Sequence, residues 1–176
     1  MKNIILTGFM GTGKSSAGRL LARELNLKFT DIDDLIEREV GLNIPLIFEK
    51  FGEPYFRLLE KNVIKDVALK ESQIIATGGG AIIDDENLKT LKASGIVICL
   101  TASADAIFSR IGGAARERPL LNLPDRREAV ERLMGYRKPF YAKADVCIDT
   151  TDKKIEEVVL EIKKEIKRRG GFSQRG

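Results

Sequence analysis

The feature that most constrains this chain is a glycine-rich segment near its N-terminus, Gly8-Phe9-Met10-Gly11-Thr12-Gly13-Lys14-Ser15. It matches G-x-x-x-x-G-K-[ST], a pattern in which backbone N–H groups surround phosphate oxygens, the lysine reaches the terminal phosphates and the hydroxyl ligates Mg²⁺. The apolar run Ile4-Ile5-Leu6 precedes the segment, and a helical pattern at residues 15–25 follows it. A strand, a tight loop and a helix N-terminus in this order predict a site for a nucleoside triphosphate.

Apolar runs and helical patterns alternate along the chain. Short, continuous apolar runs are typical of strands covered on both faces, and five occur: Ile4-Ile5-Leu6, residues 27–30, Ile74-Ile75-Ala76, residues 96–100 and Val146-Cys147-Ile148. Helix-length patterns cover residues 15–25, 53–69 and 152–168, and Thr151 or Asp152 is the predicted cap of the last one. The alternation predicts a three-layer α/β fold, with a five-stranded parallel sheet and helices on both faces.

The length of 176 residues suits one compact domain, which we place at residues 1–168. Residues 112–124 hold two glycines, two prolines, Arg116 and Arg118. This composition is typical of a long mobile loop, and such loops are often lids. Residues 169–176 are predicted to form a flexible C-terminal tail.

Charge and composition narrow the possible functions. The net charge is +4, but residues 151–176 carry eight Lys or Arg against five Asp or Glu, so the rest of the chain is nearly neutral and no nucleic-acid partner is expected. Histidine is absent, so a general base has to be a carboxylate, a lysine or another group. No stretch has the length of a membrane span, and we expect a cytoplasmic protein whose Cys99 and Cys147 are buried, reduced thiols.

Two acids follow the second apolar run. Asp31 and Asp33 share one face of an extended chain and come at the carboxyl end of a strand, where open α/β sheets bind ligands. One carboxylate could hold the water shell of a metal, and the other could accept a proton from an acceptor hydroxyl. Equally, Asp31 and Asp33 could be a helix cap and a solvated acid of the first helical turn. For the third acid, Asp34, this structural interpretation is the one we favour.

Glycines and arginines supply further candidates. Gly78-Gly79-Gly80 follows the third run and would let a ligand approach the backbone, although a flexible turn is the simpler interpretation. Arg57 is bracketed by apolar residues, and Arg137 lies in the segment Tyr136-Arg137-Lys138-Pro139-Phe140-Tyr141. Arginine binds carboxylates and phosphates through two parallel hydrogen bonds, so the set favours an acidic acceptor, whereas each arginine alone could be a surface charge.

Taken together in this order and spacing, these motifs resemble those of shikimate kinases over residues 2–167. The matching segments are the glycine-rich loop at 8–15, Asp31-Ile32-Asp33, Phe56-Arg57 with Glu60, Gly78-Gly79-Gly80, Arg118-Pro119-Leu120-Leu121 and Arg137-Lys138-Pro139-Phe140-Tyr141. The resemblance implies a P-loop kinase fold with a mobile lid. It also implies a monomer that phosphorylates the 3-hydroxyl of shikimate with Mg-ATP, in the biosynthesis of chorismate and aromatic amino acids.

The resemblance also assigns site residues. The catalytic set is Asp33 as the base, with Lys14 and Arg118. The ATP-binding set is Gly11, Thr12, Gly13, Lys14, Ser15, Ser16, Arg110 at the adenine, and Arg118 of the lid. The acceptor-binding set is Asp33, Arg57, Gly79, Gly80 and Arg137, with Glu60 orienting Arg57, and the Mg²⁺ set is Ser15 and Asp31. No role carries over for Arg116.

Two other functions remain open at this stage. One is a P-loop kinase for another small acceptor, such as gluconate or a nucleotide. The other is a nucleotide-dependent switch or nucleic-acid-binding ATPase, which the nearly neutral body of the chain disfavours.

Overall fold

The computed structural model describes residues 2–111 and 126–170. Within them lie five strands: β1 Asn3–Gly8, β2 Lys28–Asp31, β3 Gln73–Ala76, β4 Gly95–Thr101 and β5 Val146–Asp149. The helices there are α1 Lys14–Leu25, α2 Ile32–Val40, α3 Ile44–Ala68, α4 Asp85–Ser94, α5 Ala104–Ile111, α6 Arg126–Tyr141 and α7 Ile155–Arg168, with a 3₁₀ helix at Ala81–Ile83. The predicted lid at 112–124, and residues 171–176 of the predicted tail, lie outside the described residues.

The sheet is fully parallel, with the strand order β2-β3-β1-β4-β5. Because successive side chains of a strand point to opposite faces, β1 contributes Ile5 to one core and Ile4 to the other. The first core includes residues of α2, α3 and α4, and the second includes residues of α1 and α7. The predicted three-layer α/β fold and all five predicted strands are confirmed.

The strand order changes direction beside β1, and this fixes where a ligand can bind. The connection after β1 crosses one face of the sheet through α1, and the connection after β3 crosses the other face through α4. Between two such diverging connections a crevice opens at the carboxyl edge of the sheet. The phosphate loop and Gly78-Gly79-Gly80 follow β1 and β3, so both lie at this crevice.

The predicted cap of the last helix is wrong. Helix α7 begins at Ile155, and its cap is Lys154, whose N–H donates a 2.7 Å hydrogen bond to the Glu157 carboxylate. Asp152 has a left-handed backbone with φ of 55°, and the Thr151 hydroxyl donates to Asp149. These residues form a turn after β5, so the helical pattern in the sequence starts before the helix does.

Helix α3 extends further toward the N-terminus than the predicted segment at 53–69. It is interrupted at Gly52, where φ is 79° and ψ is 170°, so a helical backbone resumes at the predicted position after a kink. The earlier part begins at Ile44, capped by the Asn43 side chain, which accepts from the Leu46 N–H at 3.0 Å. Of the described helices, none is apolar over a length that could cross a lipid bilayer.

The two cysteines differ in exposure. Both are free thiols, and Cys99 is buried as predicted, but Cys147 is exposed, so the prediction of a second buried thiol is wrong. They are partners in the β4–β5 pairing, and β5 is one of the two edge strands of the sheet. An apolar run on an edge strand does not guarantee burial of every member, because only one side of the strand has a neighbour.

Candidate active site at the carboxyl edge of the sheet

The phosphate loop has the backbone that its sequence predicts. Gly8, Gly11 and Gly13 have φ of 132°, 75° and 91°, values that side chains rarely allow, and a side chain at Gly8 would collide with the Leu100 carbonyl. Helix α1 begins directly after the loop, so its N-terminal N–H groups face the same region. The Lys14 ammonium donates 2.9 Å hydrogen bonds to the Gly8 and Phe9 carbonyls, which places its charge over the loop.

A cavity of about 550 Å³ lies beside this loop. Arg110 forms part of its wall and is held there by hydrogen bonds to the Thr150 hydroxyl at 2.9 Å and the Gly11 carbonyl at 3.3 Å. The cavity is also lined by residues that the sequence analysis did not identify, Thr150, Lys153 and Ile155. They belong to the turn after β5 and the start of α7, so their position at the carboxyl end of a strand was the available signal.

Ser15 and Asp31 meet at the edge of the loop. The Ser15 hydroxyl donates a 2.8 Å hydrogen bond to Asp31 Oδ2, while Asp31 Oδ1 accepts the Asp33 N–H at 3.1 Å and caps α2. Asp31 is therefore a helix cap and a neighbour of the loop hydroxyl at once. The described residues hold no cluster of three or more acids, cysteines or histidines able to hold a metal. A hydroxyl with one carboxylate fits Mg²⁺, which keeps several waters and is shared with substrate phosphates.

Asp33 lies in the first turn of α2 with a carboxylate turned inward. Its Oδ1 is buried and has no hydrogen-bond partner among the described residues. Burial, with the negative charges of Asp31 and Glu60, raises the pKa of Asp33 to about 7, although Lys14 opposes the shift. A carboxyl group with a pKa near neutrality suits proton transfer.

Arg57 is held by two carboxylates of its own helix. It donates to Glu60 Oε2 at 2.7 Å and to Glu53 Oε1 at 3.0 and 3.1 Å. Glu60 is only 1% exposed, and its Oε1 has no hydrogen-bond partner among the described residues. Burial raises the pKa of Glu60 and the charge of Arg57 opposes that rise, so the ionised carboxylate depends on its arginine.

Each glycine of Gly78-Gly79-Gly80 lies against a different polar side chain. A methyl group on Gly78 would lie 2.8 Å from Asp33 Oδ1, and one on Gly79 would lie 3.0 Å from Arg137 Nη1. A methyl group on Gly80 would lie 2.7 Å from Arg57 Nη2. The segment therefore needs glycine for close approach, and it brings together side chains from α2, α3 and α6.

A second cavity, of about 800 Å³, lies on this side of the site. Its polar wall holds two guanidinium groups, an amide, a glycine backbone and four carboxylates: Arg57, Arg137, Asn87, Gly80, Glu53, Glu60, Asp84 and Asp85. Asp33 does not line it but lies beside Glu60, since both carboxylates are within 3 Å of the same point at Gly78. Its remaining wall includes five apolar or aromatic residues that the sequence analysis missed, Ile44, Phe48, Ile83, Leu133 and Tyr136. The cavity therefore combines two guanidinium groups and several carboxylates with apolar surface, a lining that suits a small polar molecule with a carbon skeleton.

The structure thus brings most of the predicted site residues to one crevice. Arg116 and Arg118 lie outside the described residues, so the predicted lid contacts stay predictions. A phosphate loop, a metal-compatible pair and a separate cavity with cationic groups define a P-loop kinase fold with distinct donor and acceptor sides.

Comparisons with known proteins agree on one family. The family model described as shikimate kinase matches residues 10–167. The shikimate kinase of Thermodesulfovibrio yellowstonii is 48% identical over 168 residues, covering 96% of each chain, and that of Geobacter sulfurreducens is 48% identical over 92% of this chain and 88% of its own. The solved structure of shikimate kinase from Acinetobacter baumannii in complex with shikimate has a TM-score of 0.91 and 35% identity, with 96% of this chain and 94% of that chain covered. The chain belongs to the shikimate kinase family.

A gluconokinase from Sinorhizobium meliloti is also similar, with a TM-score of 0.63 and 14% identity over 95% of this chain and 92% of its own. At that identity the likeness concerns the fold alone.

Proposed function

We propose that this protein transfers the terminal phosphoryl group of ATP to the 3-hydroxyl of shikimate, releasing ADP and shikimate 3-phosphate in the pathway to chorismate and the aromatic amino acids. The observation that carries the proposal is the position of Asp33. Its carboxylate is close enough to Lys14 for that charge to lower its pKa, and it lies beside Glu60, which holds Arg57. One carboxylate thus connects the phosphate loop with the wall of the second cavity that carries Arg57.

On the donor side, the loop and the start of α1 would bind the phosphates of ATP, and Arg110 would pack against the adenine. The proposed ATP-binding set is Gly11, Thr12, Gly13, Lys14, Ser15, Ser16, Arg110 and Arg118. Backbone N–H groups and the N-terminus of a helix bind phosphate strongly because their partial positive charges are fixed in place. Support comes from the cavity beside the loop, which the loop residues and Arg110 line together.

Ser15 and Asp31 would hold Mg²⁺, directly or through its water shell. When bound, the ion neutralises charge on the phosphate oxygens. Lys14 would stabilise the charge that develops on the migrating group, and Arg118, which is outside the described residues, would add a second positive charge from the lid.

On the acceptor side, Arg57 and Arg137 would bind the carboxylate of shikimate, with backbone groups of Gly79 and Gly80. Two guanidinium groups on one wall suit a carboxylate, which accepts paired hydrogen bonds. Glu60 would keep Arg57 in place, and the apolar wall that includes Phe48 would pack against the carbon ring.

Asp33 would act on the reacting hydroxyl. With a pKa of about 7, its carboxylate is a stronger base than an ordinary aspartate and is still largely ionised just above neutral pH. It would orient the hydroxyl and accept its proton while the oxygen attacks the terminal phosphorus in line with the leaving ADP. Positioning and charge neutralisation supply most of the catalysis in this chemistry, so the lack of histidine is no obstacle.

An acceptor-dependence assay tests the proposal. ADP release is followed with Mg-ATP and, in separate reactions, shikimate, gluconate and nucleoside monophosphates. We expect turnover with shikimate and little with the others, and turnover with gluconate alone would replace shikimate as the acceptor. A gel-shift experiment at low and moderate salt checks the nucleic-acid alternative, for which we expect no binding.

We further propose that the enzyme works as a monomer in the cytoplasm, without a membrane or nucleic-acid partner. The family resemblance supports this assignment. Light scattering at micromolar protein concentration, with and without Mg-ATP, would reveal a dimer, and cell fractionation would reveal association with membranes.

A further inference from the structure

Tyr141, the last residue of α6, lies against Gly79 beside the proposed acceptor site and has no role in the function proposed above. Its hydroxyl donates a 2.7 Å hydrogen bond to the Gly79 carbonyl, and the residue is only 7% exposed. Burial raises the pKa of Tyr141 to about 12, so the hydroxyl keeps its proton and remains a donor throughout the physiological range.

The Gly79 carbonyl is one end of a rigid peptide group whose other end is the Gly80 N–H. Because the peptide is planar, fixing the carbonyl also fixes the direction of that N–H. The carbonyls of Gly78 and Gly80 accept from the Ala81 and Ile83 N–H groups at 3.2 and 3.1 Å, within the same turn. The Gly79 carbonyl is instead held by a side chain from α6. Tyr141 therefore connects the glycine turn to a different element.

Tyr141 also contacts the neighbouring arginine of the same helix. Arg137 is four residues earlier, which places the two side chains on one face of α6. The charge of Arg137 and a hydrogen bond from it act on the Tyr141 hydroxyl and oppose the rise in its pKa. A methyl group on Gly79 would lie 3.0 Å from Arg137 Nη1 and 3.6 Å from the Tyr141 hydroxyl oxygen, so the three groups meet at one point.

We propose that Tyr141 is a positioning residue for the acceptor carboxylate. Its hydroxyl donates to the Gly79 carbonyl and accepts from Arg137, and so fixes the Gly80 N–H and the guanidinium relative to each other. This inference rests on the proposed function, in which Gly80 and Arg137 bind that carboxylate. The hydroxyl does not touch the reacting atoms, so its effect should fall on acceptor binding and leave ATP binding unchanged.

The test compares Tyr141→Phe with Tyr55→Phe. The control removes the same hydroxyl from a half-exposed tyrosine of α3 that packs on Phe51, outside both cavities. For Tyr141→Phe we expect the KM for shikimate to rise by about tenfold or more, since the part-buried Gly79 carbonyl loses its donor. The KM for ATP should stay within about twofold, and the control should match the wild type in both constants.

A shikimate analogue whose carboxylate is reduced to an alcohol separates positioning from a general structural defect. If Tyr141 acts through the carboxylate site, Tyr141→Phe should weaken binding of shikimate but not the already weak binding of the analogue, both measured by calorimetry. Equal losses for the two ligands, a parallel rise in the KM for ATP, or no change in the KM for shikimate would each overturn the inference.

Two further measurements keep the result interpretable. The midpoint of urea unfolding is recorded for each variant, and if Tyr141→Phe is poorly folded, Tyr141→Phe, Arg137→Lys and the double variant are all compared in the presence of a stabilising concentration of ATP. Coupling through one site predicts that the two substitutions together raise the KM by less than the product of their separate effects. A wild-type enzyme inactive on shikimate would refute the proposed function instead, and the comparison would then be made with the anionic acceptor that it does use.

Discussion

The Arg57 guanidinium donates a 2.7 Å hydrogen bond to Glu60, a carboxylate that is only 1% exposed. The two residues are three positions apart in α3, so the helix itself places them together. Glu53 holds the same guanidinium from the solvent side, where its side chain is 61% exposed. The position of Arg57 at the second cavity is thus set from inside by Glu60 and from outside by Glu53.

Replacing Glu60 should impair acceptor binding more than replacing Glu53. Glu60→Gln removes the buried negative charge opposite Arg57, and we expect the KM for shikimate to rise by roughly tenfold or more, because charged hydrogen bonds in buried settings are the stronger ones. Glu53→Gln is the control, with an expected change within about threefold, since exposed ion pairs contribute little. Steady-state kinetics with each substrate varied would check both, and equal effects of the two substitutions would contradict the role of Glu60.

The sequence predicted the parts of this site that depend on neighbours along the chain. The phosphate loop and the five strands have local patterns, and their parallel order places Gly8 and Gly78 at one edge. The sequence could not decide whether Asp31 caps a helix or faces the phosphate loop, because one oxygen of its carboxylate caps α2 and the other accepts from the Ser15 hydroxyl. Likewise, the contact of Tyr141 with Gly79 spans 62 residues and depends on how α6 packs.

Asp33→Asn should nearly abolish turnover while ATP still binds. The amide keeps the size of the side chain but cannot accept a proton at the reacting hydroxyl, so we expect kcat to fall by about 10²- to 10⁴-fold. The control is Asp34→Asn, which changes the next residue, an exposed acid 3.6 Å from Arg19, and should leave kcat within about twofold. Turnover is measured by ADP release and ATP affinity by calorimetry. Near-normal turnover of Asp33→Asn would remove the assignment of the base.

The raised pKa of Asp33 also predicts how activity depends on pH. In the proposed mechanism the ionised carboxylate is the active form, so kcat/KM for shikimate should rise with pH and level off above the pKa of about 7. Asp34→Asn should keep this profile. A kcat/KM that is already flat from about pH 5 upward would show that no group with such a pKa controls the reaction.

The raised pKa of Asp33 also predicts that its carboxylate lowers the free energy of unfolding at alkaline pH. Its folded-state pKa is raised from 3.8 to about 7, so it favours the folded state below about pH 4, and this contribution is lost as the pH rises to 7. Above pH 7 an ionised carboxylate is buried, and Asp33→Asn relieves that cost, so the variant should be more stable than the wild type by on the order of 1–3 kcal/mol. Urea unfolding at about pH 5 and pH 8 measures the difference, which should be larger at the higher pH. A variant less stable than the wild type at both values would contradict the origin of the shift.

Gly80→Ala should weaken acceptor binding through Arg57. The added methyl group would lie 2.7 and 2.8 Å from the two terminal nitrogens of the guanidinium, closer than a carbon atom can approach, so the side chain has to move away from the cavity. Because Glu60 and Glu53 hold that guanidinium, the movement also disturbs its hydrogen bonds. We expect the KM for shikimate to rise by about tenfold or more and the KM for ATP to change little.

The matched control is Gly135→Ala in α6, where a methyl group meets nothing within 4 Å and should stabilise the helix by roughly 0.5–1 kcal/mol. If Gly80→Ala raised the two KM values equally, the turn would serve the whole crevice and not the carboxylate site.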